Sequence, residues 1–273
     1  MTTVRALVLT GYGLNCDNET GHALRLAGAE PHLIHINEVI SQERLDFFQI
    51  LVFGGGFSWA DDHGAGVLLA AKLRNNIGGQ IERFVAQGNL VIGICNGFQS
   101  LVNLGLLPGF DGNYRERRIA VTYNDSGNFI DTWVRLTVNS GSPCVFTRGI
   151  DTLELPVRHG EGKFVSEQDD IQRLVDGGQV VMRYADEAGK AAQGRWPENP
   201  NGSLMDIAGI CDPTGRIFGL MPHPEAFHHV TNHPDWTRRK ERLAREGKGF
   251  PDDEGEGVLI FRNAVEYARE HLV

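Results

Sequence analysis

The sequence predicts an α/β protein, an open and mostly parallel sheet with helices on both faces, with mixed or antiparallel strands added in its second half. Two observations in the first half carry this. Short, continuously apolar runs end in glycine or polar turns, as strands buried on both faces do. Helix-length stretches separate them, which is the βαβ rhythm of a parallel sheet. A third observation comes from the second half, where β-branched and aromatic residues fall in partial alternation, the pattern of half-buried antiparallel strands.

In chain order, "VRALVLT" (4–10) is the first strand, and "NETGHALRLAG" (18–28) is a helix ending near Gly28. "PHLIHI" (31–36) is a fainter strand, and "QILVFGGG" (49–56) a clear one that runs into glycines. A long helix is expected from about Gly66 to Gly88, followed by the strand "NLVIGIC" (89–95). Beyond these, "IAVTYN", "NFIDTWVRLTV" and "VVMRYA" read as strands. "SLMDIAGICD" and "RIFGLMPH" flank the turn "PTG" and read as a hairpin. "GVLIFRNAVEYAREHL" (257–272) is a closing helix. The whole of 1–273 reads as one domain, interrupted by a segment at about 231–257 crowded with both signs of charge.

Composition narrows the class. Of 273 residues, 41% are hydrophobic and 22% charged, ordinary for a globular protein. A formal charge of −9 disfavours nucleic acid or an anionic membrane as partner. No run approaches the ~18 apolar residues of a membrane span, and the start has no signal-peptide pattern. Cys16, Cys95, Cys144 and Cys211 are scattered, which favours a reducing, cytoplasmic compartment over a disulfide framework or a zinc site.

The most informative stretch is "VIGICNGFQSLVNLGLLPG" (91–109), where Cys95 is expected as the last strand residue before a helix. Catalytic groups of open α/β sheets gather at the carboxyl ends of strands. Gly93 and Gly97 flank Cys95 at i−2 and i+2, the thiol version of a nucleophile elbow. A helix beginning just after a cysteine aims the positive end of its dipole at the sulfur, which favours thiolate. The alternative is a cysteine that merely packs. Two further motifs weigh against that. "FGGGFSW" (53–59) would offer the Gly56 N–H, beside that of Asn96, to a developing oxyanion, although a triple glycine also suits a tight turn or a phosphate loop. "LMPHPEAF" (220–227) places His223 and Glu225 two apart at a strand end, an imidazole base with its orienting carboxylate. His228, His229 and His233 lack accompanying carboxylate or cysteine spacing, so no metal site is expected. Cys16, Cys144 and Cys211 lack an elbow and read as packing residues.

An elbow cysteine followed far downstream by His-x-Glu, after an upstream glycine turn, resembles the class I (triad-type) glutamine amidotransferases. "GICNGFQ", "HGEGKF" (159–164), "NPNGS" (199–203), "IAGICD" and "GLMPHPE" resemble one family within them, the glutaminase subunits of phosphoribosylformylglycinamidine synthase. The opening "TGYGLNCDNE" matches that family's Pro-Gly-x-Asn pattern at Gly13 and Asn15, with Tyr12 in place of the proline. The resemblance implies a flavodoxin-like sheet and a glutaminase. Cys95 would attack the side-chain amide of L-glutamine to give a γ-glutamyl thioester and ammonia, for use in de novo purine synthesis. His223 would move the protons and Glu225 would orient it, with Gly56 and Asn96 as oxyanion donors. Gln99, Ser58 and the backbone around His159 and Gly160 would hold the substrate. Asn201 and Ser203 are turn residues or line the mouth of the site. No cofactor is expected on this chain. Without a G-x-x-x-x-G-K-[ST] loop, ATP and magnesium belong on a large synthetase subunit, with a small accessory subunit completing the complex. The competing readings are another class I amidotransferase, a γ-glutamyl hydrolase, or a catalytically silent binding module. The charged segment is either a solvated surface helix and loop or a docking insertion, with Arg238, Arg239, Lys240, Arg242 and Arg245 facing an acidic patch or the anionic substrate of the synthetase.

Overall fold

The computed structural model describes residues 3–42, 45–250 and 254–273. Pro251, Asp252 and Asp253, part of the charged segment, lie outside the described residues.

Four strands form the parallel part of the sheet in the first half: β1 (Arg5–Thr10), β2 (Glu30–His35), β3 (Ile50–Phe53) and β4 (Leu90–Ile94). Every residue of β3 and β4 is buried, as their unbroken apolar sequence requires. Between them run α1 (Asp17–Leu26), α2 (Ile36–Gln42) and α3 (Val67–Ala86), and α4 (Asn96–Leu104) follows β4. On α3 the buried residues Leu69, Ala70, Leu73, Ile77, Ile81, Phe84 and Val85 recur at three- and four-residue intervals, one apolar stripe facing the sheet.

The second half supplies β5 (Ile119–Tyr123), β6 (Ile130–Val138), β7 (Thr152–His159), β8 (Glu161–Ser166), α5 (Gln168–Asp176), β9 (Val180–Ala185), β10 (Ile207–Cys211), β11 (Ile217–Leu220), α6 (Trp236–Arg245) and α7 (Val258–His271). Nine strands make one sheet in the order β2-β1-β3-β4-β11-β10-β9-β6-β7, and β5 pairs with β8 in a separate two-stranded sheet. Pairings from β2 to β11 are parallel, and those from β11 to β7 antiparallel. The mixed character expected of the second half is therefore present. The β10–β11 turn is built around buried Asp212, whose Oδ1 accepts the N–H groups of Arg216 and Ile217 at 2.9 Å each.

The strand order reverses between β1 and β3. Right-handed crossovers from β1 to β2 and from β3 to β4 then place α1 and α3 on opposite faces. The crevice at such a reversal lies beyond the carboxyl ends of the strands, where the loops after β1, β3, β4 and β11 meet. No helix among the described residues is long and apolar enough to cross a membrane.

Four elements were not expected from the sequence: α2, β7, β8 and α5. β7 carries Pro156 in mid-strand, which signals against a central strand, and it is in fact the sheet's edge strand.

Candidate active site

Four loops build the site. β4 ends at Ile94, one residue earlier than the sequence suggested, and Cys95 caps α4 with φ 52° and ψ −107°. A non-glycine residue held there is strained, and the packing around it maintains the strain. A Cβ on Gly97 would lie 1.9 Å from the Phe53 carbonyl oxygen, and one on Gly93 would lie 2.6 Å from Leu101 Cδ1. Only glycines permit strand, turn and helix to approach this closely, so the elbow spacing is a steric requirement. Cys95 is 4% exposed, its N–H bonds the Leu220 carbonyl at 2.8 Å, and its thiol donates to the Arg158 carbonyl at 3.7 Å.

β11 pairs with β4 so that Leu220 stands beside Ile94, which brings the chain after β11 next to Cys95. His223 and Glu225 are 2% and 1% exposed, and His223 Nδ1 meets Glu225 Oε1 at 2.5 Å. The His223 backbone N–H bonds the Pro156 carbonyl at 2.8 Å, which fixes the loop against β7. Burial by itself would push the imidazole down. The Glu225 carboxylate outweighs it, helped by Cys95 and Cys16, and holds His223 well above the ordinary histidine range. His223 Nε2 is buried without a protein partner.

The loops after β1 and β3 clamp each other. Asn15 N–H bonds the Gly55 carbonyl at 3.1 Å and Phe57 N–H bonds the Gly13 carbonyl at 2.9 Å. Gly56, at φ 141°, stands between these two bonds and its N–H takes part in neither. The N–H of Asn96 opens α4, where a helix offers no internal acceptor.

Of the remaining expected residues, Ser58, Gln99, His159, Asn201 and Ser203 are buried and Gly160 is half-buried. Asn96 donates to Asp61 Oδ1 at 2.9 Å and accepts the Ser58 N–H at 3.4 Å, and the Ser58 hydroxyl is buried without a partner. Gln99 uses its amide within the protein, donating to the Glu161 carbonyl and accepting from Asn96 at 3.4 Å. His159 Nδ1 faces Asn124 Oδ1 at 3.0 Å while its Nε2 has no partner. Burial first, then repulsion from His223, pushes His159 down to about 3, so its ring is neutral. The nearby Glu161 carboxylate accepts the Ala65 N–H at 3.2 Å. The Gly160 carbonyl accepts the Asn124 N–H at 3.0 Å, and the space where its Cβ would stand is open. Asn201 and Ser203 brace β8 from within: Asn201 Nδ2 bonds the Gly162 carbonyl at 2.8 Å and Ser203 Oγ accepts the Phe164 N–H at 3.0 Å.

One reading needs correction. Cys16 is not a mere packing residue: its Sγ lies 3.9 Å from His223 Nδ1. It follows the first strand at the point where strand order reverses, and that position was the signal available in the sequence. Cys144 and Cys211 are buried away from the loops, where their mutual hydrogen bond, and then burial, push Cys211 far up. Asp61 and Asn124 also escaped the sequence reading. Asp61 is half-buried, and burial together with Glu161 pushes it up to about 6.

Among the described residues, one group gathers metal-ligating atoms: Cys16, His223 and Glu225, all within 4.8 Å of one another. His228, His229 and His233 are engaged separately, with the Glu225 carbonyl (3.2 Å), Thr231 Oγ1 (2.7 Å) and Glu154 (3.3 Å). No residue of α6 is buried. Arg239 pairs with Glu154, Arg238 with Asp235 at 3.0 Å and Arg245 with Glu241 at 2.9 Å.

A cysteine at an elbow, beside a buried histidine–glutamate pair on this sheet, is the arrangement of a glutamine amidotransferase. Residues 3–268 match the family described as CobB/CobQ-like glutamine amidotransferase domain. The chain is 47% identical over 273 residues to the phosphoribosylformylglycinamidine synthase subunit PurQ of Dehalococcoides mccartyi, covering 99% of this chain and 100% of that one. It is 43% identical over 264 residues to the same-named subunit of Methanococcus maripaludis, covering 96% and 97%. The fold is similar to a chain in the structure of PurLQS from Thermotoga maritima, with a TM-score of 0.71 and 29% identity over 97% of this chain and 99% of that one. The chain belongs to the family of phosphoribosylformylglycinamidine synthase PurQ subunits.

Proposed function

We propose that this chain hydrolyzes L-glutamine to glutamate and ammonia and delivers the ammonia to a synthetase that makes formylglycinamidine ribonucleotide from formylglycinamide ribonucleotide. The observation that carries the reading is the buried His223–Glu225 pair at 2.5 Å beside an elbow cysteine, in a member of the PurQ family.

Glu225 accepts the Nδ1 proton of His223, which leaves Nε2 to take the Cys95 thiol proton. The carboxylate then stabilizes the imidazolium in a site with little water. The sulfur adds to the glutamine side-chain carbonyl, and the Gly56 and Asn96 N–H groups receive the oxyanion, each donor worth about 10²–10³ in rate by analogy with other acyl-transfer sites. His223 passes its proton to the departing amine, ammonia leaves, and a water activated by the same ring cleaves the thioester. The unpartnered Ser58 hydroxyl and the open space at Gly160 are suited to the substrate's α-amino and carboxylate groups. Gln99 acts from the wall, tying α4 to β8. ATP and magnesium bind the synthetase partner, a large subunit that works with a small accessory one, in the cytoplasm.

Labeling tests the reading. A glutamine-mimicking electrophile should alkylate Cys95 far faster than Cys16, Cys144 or Cys211, and excess glutamine should protect it. Peptide maps with the label spread over all four cysteines would overturn the assignment.

A further inference from the structure

The proposed catalysis uses Cys95 on one side of the His223 ring and leaves a second thiol on the other. Cys16 Sγ faces the same Nδ1 atom that Glu225 holds, at 3.9 Å. It is anchored there: the Cys16 carbonyl accepts both the N–H of Thr20 at 3.1 Å and its hydroxyl at 2.6 Å. Behind it, Gly55 packs so closely that a Cβ would lie 2.7 Å from His223 Cε1 and 3.1 Å from Cys16 Sγ. The second carboxylate oxygen of Glu225, Oε2, is buried with no hydrogen-bond partner. A thiol, an imidazole nitrogen and a Glu225 carboxylate oxygen therefore lie within 4.8 Å of one another, and half-buried Cys16 gives the group an edge toward solvent.

We propose that Cys16, His223 Nδ1 and Glu225 form a binding site for a thiophilic divalent cation, Zn²⁺ in the first instance, whose occupation switches off the histidine base. One sulfur, one nitrogen and one oxygen ligand is a donor set that zinc accepts, with a fourth position left for water. Tetrahedral bonds of roughly 2.0–2.3 Å put ligand atoms roughly 3.3–3.6 Å apart. The sulfur–nitrogen separation of 3.9 Å thus needs to close by only a few tenths of an ångström, while the 2.5 Å hydrogen bond between Nδ1 and Glu225 Oε1 opens to ligand spacing and leaves the carboxylate to supply the oxygen. Binding releases the thiol proton, because the ligand is the thiolate, and displaces the Nδ1 proton that Glu225 holds. The metal takes the Nδ1 lone pair, so the proton left on the ring sits on Nε2. That nitrogen can then no longer accept the Cys95 proton. The binding claim stands on geometry alone, whereas the switching claim rests on the glutaminase reading.

The test separates the two claims. Cd²⁺ is titrated into full-length Cys95→Ala protein, where the nucleophile cannot contribute a thiolate, and cadmium–thiolate charge-transfer absorbance is followed. One equivalent should bind, and the Cys95→Ala/Cys16→Ser protein, shown to be folded by its thermal transition, should bind at least tenfold more weakly without the band. Equal binding and absorbance in both proteins would overturn the site. Native and Cys16→Ser proteins are then assayed for glutaminase against buffered free Zn²⁺, each normalized to its own zinc-free rate. Half-inhibition of Cys16→Ser should need at least tenfold more zinc, with a chelator restoring both. Equal sensitivity would place any inhibitory ion elsewhere, and binding without inhibition would overturn the switch.

Discussion

Gly55→Ala isolates the position of the imidazole from the chemistry of the triad. Gly55 does not occupy the left-handed region, so alanine adds only one methyl group and no backbone strain. That methyl would lie 2.7 Å from His223 Cε1. Carbon atoms in contact rest about 3.5–4.0 Å apart, so the ring or the loop must yield by about 1 Å. The ring cannot retreat freely, since Glu225 holds Nδ1 at 2.5 Å and the backbone is tied to Pro156. A misplacement of about 1 Å in catalytic geometry costs on the order of 10² in rate, and overpacking a tight interior costs about 1–3 kcal/mol. Gly54→Ala is the matched control, because no atom lies within 4 Å of the Cβ it would gain. Glutaminase kcat and KM are measured on both variants with their thermal midpoints. Gly55→Ala should lose about 10–100-fold in kcat with KM for glutamine nearly unchanged and a midpoint a few degrees lower, while Gly54→Ala keeps native values. Equal kcat in the two variants would refute the claim that Gly55 and the ring share a rigid contact.

Two further outcomes follow from charged groups. Asp61 holds its proton up to about 6 in the folded protein against 3.8 unfolded, so the native state binds the extra proton and stability falls as pH climbs through that window. The full shift corresponds to ~3 kcal/mol, and for a half-exposed group about 1 kcal/mol survives screening. Asp61→Asn should therefore match native stability near pH 4 and exceed it near pH 7 in denaturant titrations; equal stability at both pH values would contradict this. On α6, Lys240 and Arg242 make no ion pair among the described residues, whereas Arg238, Arg239 and Arg245 do. If the helix docks on an acidic partner surface, Lys240→Glu/Arg242→Glu should weaken assembly with the synthetase at low salt and flatten its salt dependence. Unchanged assembly in gel filtration would leave α6 a solvated surface helix.

The two motifs behind the proposed triad are legible in sequence because each of them is local, although the β4–β11 pairing that brings them together is not. Gly93 and Gly97 report an elbow at Cys95, and the two-residue spacing of His223 and Glu225 sits beside prolines at a strand end. The parallel half of the sheet was legible because β1, β3 and β4 are unbroken apolar runs. The elements that were missed follow different rules. β7 hides behind Pro156, and its place at the sheet edge, which makes a proline tolerable, depends on the order of all nine strands. Cys16 was misread for a related reason. Its neighbor is His223, 207 positions away, and only the meeting of the loops after β1 and β11 brings them together. Asn201 and Ser203 looked like turn residues because they are; their buried bonds to β8 are tertiary and leave no periodic trace.

The central claim is that this chain makes ammonia and another subunit uses it. The most direct measurement is formylglycinamidine ribonucleotide formation by the reconstituted complex carrying Cys95→Ala, run once with glutamine and once with ammonium chloride. The account predicts no product from glutamine and native product from ammonium chloride. Product from glutamine would remove Cys95 as the nucleophile, and loss of both activities in an intact complex would mean that this chain contributes to the synthetase site itself.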